Sequence, residues 1–132
     1  MNFYYCLSFS ETVDGSFMLF KNLAWISRDD EDQWYQIAIT ETEITAGNIQ
    51  FNNGITRGGE IWEWVKTGIT ERIGQSIELR DIEIALHGPD KMLFIWMIKD
   101  ARPVSYQEDE AQWEVKLNNL EFSYNALLKI YP

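Results

Sequence analysis

One cysteine and one histidine in 132 residues is the first limit on what this chain can do. Cys6 has no partner, so an internal disulfide is excluded, and one Cys with one His cannot assemble the four Cys/His ligands of a conventional structural zinc site. Positive charge is also scarce: 11 Lys and Arg stand against 21 Asp and Glu, for a formal net charge of −10 and a pI of about 4.4. That sign opposes nucleic-acid phosphates and makes an anionic membrane surface a poor partner, since both are held by clustered Lys and Arg. Long apolar runs are missing. None approaches the ~20 residues a membrane helix requires, and no basic n-region precedes a leucine-rich h-region, so the sequence predicts a soluble protein made in the cytoplasm.

What the chain does have is apolar and aromatic. Hydrophobic residues make up 45% and aromatics 14%, with six Trp, six Tyr and seven Phe, too much for a disordered chain. A length of 132 residues predicts one domain, residues 1–132, with a real core.

The apolar spacing is mostly that of strands. Phe3, Tyr5, Leu7 and Phe9 alternate with smaller or more polar residues, and after the Val13-Asp-Gly15 punctuation residues 17–23 follow as a second strand, together a hairpin. The four acids of residues 29–32 read as a solvated loop, because like charges repel in any packed arrangement. Residues 34–45 regain strand propensity, but Thr40, Glu41, Thr42 and Glu43 make that strand polar on both faces, which implies a water-lined surface.

Residues 54–59, Gly-Ile-Thr-Arg-Gly-Gly, read as a turn into a helix over residues 60–69. Ile61, Trp64, Val65 and Ile69 share one helical stripe, and Glu60 sits in the first turn, where the dipole favours an acid. Residues 79–86 and 92–98 flank His87-Gly-Pro-Asp90 and predict a second hairpin. Its second arm is apolar at every position and therefore needs cover on both faces. The apolar phase slips twice, near Arg80-Asp81 and at Asn118-Asn119, and each slip signals a bulge or a change from loop to strand.

Chemical motifs are weak. His87 lies at a hairpin tip with no nucleophilic Ser or Cys near it in sequence, Cys6 reads as a small buried core residue, and the acidic run lacks the spaced ligands and turn glycine of an EF-hand. Residues 54–59 superficially resemble a phosphate cradle, but Glu60-Ile61 stand where a P-loop places Lys-Ser/Thr. Nothing in the acid spacing favours a hydrolase. No cofactor, metal ligand set or catalytic residue is predicted, and the protein is expected not to be an enzyme. Trp62, beside the apolar stripe, either packs at the rim of the core or reaches a neighbouring subunit.

Four local patterns then fall in order. Asn53-Gly-Ile-Thr-Arg-Gly58 precedes Ile61-Trp-Glu-Trp64, Asp81-Ile-Glu-Ile-Ala-Leu86 follows, then Lys99-Asp-Ala-Arg-Pro-Val-Ser-Tyr106, and Leu120-Glu-Phe-Ser-Tyr124 closes. This order resembles the tail-tube protein family of contractile phages and related injection systems, relatives of the haemolysin co-regulated tube of type VI secretion. In that family an Arg-Gly-like turn leads into a short helix bearing Trp, and a D-I-x-I-x-L arm, an A-x-P-V-x-aromatic segment and an L-E-apolar-x-Y/H strand come after it.

The resemblance implies a mainly β fold with one helix: two packed antiparallel sheets forming a small barrel-like body with one flanking α-helix. It further implies a homohexameric ring, rings stacked into a hollow conduit, and sheath and baseplate proteins as partners. Cargo or DNA would pass through the lumen without specific binding, in a phage virion or an extracellular or secreted injection particle. On this basis Trp62, Arg102 and Trp96 are expected at subunit contacts, Arg102 in an ion pair with a neighbour's Glu. Thr40, Glu41, Thr42 and Glu43 are expected at the lumen or the stacking surface, where rings of acid would repel phosphates. The region between Trp25 and Ile55 is shorter than in typical tube subunits and begins with an acidic run. That also fits a tube-initiator, baseplate or terminator paralogue. A reading of another class is a monomeric barrel holding a small apolar ligand, which the aromatic content would allow.

Overall fold

Strand β1 (Tyr4–Phe9) shows how the wall is built: Leu7 and Phe9 are buried while Cys6 and Ser8, one step out of phase, face outward and are half-buried. The computed structural model describes residues 3–11, 14–25, 43–70, 78–110 and 114–130. In chain order β1 is followed by β2 (Phe17–Trp25), β3 (Glu43–Thr56), helix α1 (Glu60–Thr70), β4 (Arg80–His87), β5 (Met92–Glu110) and β6 (Val115–Ile130). Every strand pairs antiparallel with both neighbours, and the ring closes in the order β1-β2-β3-β6-β5-β4. Among the described residues, the mainly β barrel with one helix expected from the sequence is therefore the fold, as one closed wall of six strands.

Eight strands leave an interior just wide enough for side chains, so six leave less. Trp96, Phe20, Phe51 and Phe122 fill this one, with Phe51 5.3 Å from Phe20 and 6.2 Å from Phe122 between ring centroids. Helix α1 covers one mouth of the barrel. The Trp64 ring stacks on Phe122 at 6.0 Å and meets Phe9 edge-on at 5.3 Å, two inward-facing residues from opposed walls.

The wall bends where its alternation slips. The described non-glycine residues in the left-handed region are Asn53 (φ 56°), Asp100 (φ 52°) and Asn119 (φ 52°), and each lies at a change of inward phase. At each, the backbone N–H donates to a side-chain oxygen on the adjacent strand: Asn53 to Asn118 Oδ1 at 2.9 Å, Asn119 to Asn52 Oδ1 at 2.8 Å, and Asp100 to Asp81 Oδ1 at 2.9 Å. Two Asn-Asn pairs on β3 and β6 thus satisfy each other, which preserves register while both strands change face. The slip expected at Asn118-Asn119 is this corner. The slip expected near Arg80-Asp81 combines the start of β4 with a register shift opposite Asp100.

Two sequence expectations move. The turn placed at residues 54–59 starts only at Arg57, because Gly54 still pairs with Phe20 and Leu117 inside β3. The strand expected at residues 92–98 does not stop there; residues 99–106 continue it within the 19-residue β5, whose bend at Asp100 disguises its continuity. The acidic run at 29–32 and nearly all of the strand expected at 34–45, including Thr40, Glu41 and Thr42, fall outside the described residues. Glu43 opens β3.

Candidate functional site

The outward rows of a small antiparallel barrel are ordinarily polar. One outward row here is apolar on every strand. Register carries it from Ile55 to Leu19, Cys6, Ala85, Ile95 and Ile130, all half-buried. The next row carries Phe17, 52% exposed, and Met97 and Leu128, with Ser8 and Glu83 between them. Apolar surface therefore continues across the outside of the wall.

Phe17, Leu19 and Ile55 line a cleft of about 420 Å³ whose rim carries Arg57. Arg57 lies 3.8 Å from Glu114, but its side chain is 79% exposed, so this surface pair holds it weakly. The sequence signal for this flank is Phe17-Met-Leu-Phe20, apolar at both phases like residues 92–98. Four residues are too few to separate a two-sided strand from a strand end.

The wall of the cleft nearest the helix is locked. Glu60 N–H donates to Asp14 Oδ2 at 2.9 Å, Ile61 N–H donates to Ser16 Oγ at 3.2 Å, and Ser16 N–H donates to Asp14 Oδ1 at 2.9 Å. The place an anion would take at the helix N-terminus is thus held by the chain's own carboxylate. Gly59, at φ 90°, lets the turn run close to Ser16; a Cβ there would lie 2.4 Å from Ser16 Cβ. Arg80 secures the same helix end from β4. Its Nη2 lies 2.8 Å from Glu60 Oε1 and donates to Glu11 O at 3.1 Å, and the guanidinium lies 3.8 Å over the Phe9 ring. Arg80→Ala is expected to lower stability by about 2 kcal/mol in urea titration, since it removes a shielded ion pair and a cation–π contact together.

The expected contact residues separate. Trp96 is fully buried and Trp62 is 5% exposed. Trp96 belongs to the interior of its own barrel, and Trp62 packs edge-on against Tyr106 at 5.2 Å with Lys66 Nζ 5.4 Å from its ring. The interface expectation for both is corrected: their surface is already used within the chain, and Trp62 takes the core-rim alternative. Arg102 is exposed and unpaired among the described residues, beside a cleft of about 480 Å³ that it lines with Asn48, Ser123 and Asn125.

Cys6 faces outward rather than into the core, and burial pushes its thiol pKa up, which keeps it protonated and a poor nucleophile. The His87 ring is stacked on Tyr4 at 4.9 Å. The described surface thus carries apolar rows and isolated charges. No family model, no curated protein and no solved structure matches this chain.

Proposed function

We propose that this chain is a structural subunit of the inner tube of a contractile phage tail or related injection system, six copies closing into a ring and rings stacking into a conduit. The observation that carries the reading is the outward apolar row. Ile95 on one face of β5 and Trp96 on the other both need cover, and the chain covers Trp96 fully but leaves Ile95 half-buried. A neighbouring subunit would supply the second. A tube-initiator, baseplate or terminator paralogue would use the same contact within a ring and differ in whether rings stack.

A small-ligand barrel is favoured less, because Trp96, Phe20, Phe51 and Phe122 occupy the interior where such a ligand would lie. A membrane-spanning barrel would place polar residues inside, whereas these are apolar.

Negative-stain microscopy with native mass measurement tests the proposal. Rings of six copies are expected at micromolar concentration, each obligate contact burying on the order of 2,000 Å². A monomer at that concentration would refute it. Filaments would assign a stacking role, and isolated rings a paralogue.

A further inference from the structure

Parts of the outward apolar surface stand on opposite flanks of the barrel. In the cyclic strand order β2 and β5 are three places apart in either direction, so they are diametrically opposed. The β2–β3 flank is concave: Phe17, Leu19 and Ile55 line the cleft of about 420 Å³. The β4–β5–β6 flank presents Ile95 and Met97, paired across the strands with Ile130 and Leu128.

The two flanks also differ in charge. Arg57 stands at the rim of the cleft. On the other flank Glu83 is half-buried beside Met97 and Ser8, with no ion-pair partner among the described residues. An uncompensated carboxylate within an apolar face is costly to cover unless the covering surface brings a cation. In a chain of net charge −10, copies repel one another unless a contact sets a cation against an acid.

We infer that a second copy of this chain docks head to tail, the β4–β5–β6 face of one copy against the β2–β3 cleft of the next, with Arg57 opposite Glu83. The inference rests on the ring reading and names the surfaces through which its copies meet. Two different patches on opposed flanks are what a heterologous contact requires, and such contacts close into rings or run on as filaments. A two-fold contact would instead set cleft against cleft, or Glu83 against its own symmetry mate, and neither is complementary.

Two cysteine variants in a Cys6→Ser background, Phe17→Cys and Met97→Cys, test the contact. After mild oxidation, a mixture of the two is expected to give a covalent dimer on a non-reducing gel, at a yield about tenfold above either variant alone if recognition is head to tail. In a parallel arm, Arg57→Glu and Glu83→Arg are each expected to weaken assembly by about tenfold or more, and the double variant to restore it. Circular dichroism identifies any variant that has not folded, and the charge pair and the cysteine pair are independent of each other. Efficient cross-linking of one variant with itself overturns the head-to-tail contact in favour of a two-fold one. Assembly that persists without the mixed cross-link and without the charge effect overturns this contact and leaves the ring reading intact. A wild-type protein that stays monomeric overturns both.

Discussion

Trp96→Ala is expected to cost about 3–5 kcal/mol, a large share of the roughly 5–15 kcal/mol that holds a domain together. Trp96 is fully buried, pairs across the wall with Ile84 and Lys129, and stacks on Phe94 at 5.6 Å. Six strands enclose little volume, and the remaining interior rings are already in mutual contact, so the wall cannot collapse around the void. The melting temperature should fall by roughly 10–20 °C at a protein concentration where only monomer is present. This separates the core role of Trp96 from the interface role that the sequence resemblance suggests. An interface residue would change association and leave the monomer's melting point within a degree or two.

Gly54→Ala should be nearly as severe, at about 3 kcal/mol, although it adds a single methyl group. A Cβ at this position would lie 2.1 Å from Phe20 Cδ1, 2.2 Å from Phe20 Cε1 and 2.7 Å from the Leu19 carbonyl oxygen. The Phe20 ring is 1% exposed and backed by Phe51, so it cannot move aside without displacing the core, and the Leu19 oxygen belongs to the paired backbone. Urea denaturation should show a lower midpoint with an unchanged slope. Phe20→Leu in the Gly54→Ala background should recover part of the loss, a coupling that a purely entropic glycine effect would not produce. A single-variant loss below about 0.5 kcal/mol would contradict the close approach between ring and strand.

The same glycine shows why the sequence reveals the elements more readily than their limits. Gly54, Gly58 and Gly59 together resemble turn punctuation, yet the first lies in a strand because an aromatic ring on β2 needs its missing side chain. That demand comes from a residue 34 positions away in the chain and leaves no local mark. Local signals, by contrast, are reliable here. The stripe of Ile61, Trp64 and Val65 is buried on α1, and the Asn118-Asn119 slip is a bend made by a left-handed residue.

Closure of the barrel is not legible, because period-two alternation fixes which side chains point inward but not which strand lies alongside. The pairing of β1 with β4 and of β3 with β6 is set by the packed interior as a whole. The proposed contact surface is harder still. Leu19, Ile55 and Ala85 look like ordinary strand residues until register aligns them in one outward row. Trp62 and Trp96, the conspicuous aromatics, are consumed by the interior.

The reciprocal asparagine corner bears on the order in which the molecule is made. Its hydrogen bonds join residues 65 and 67 positions apart, Asn53 with Asn118 and Asn119 with Asn52, and both depend on β6. Synthesis therefore produces β1 to β5 before the wall can shut, with the edges of β3 and β5 unpaired in the interval. Contacts of such long sequence separation form slowly because the intervening chain must first be ordered. Nascent chains stalled before β6 should consequently be the aggregation-prone species, and arrival of the last strand marks the change from a sticky open sheet to a sealed barrel.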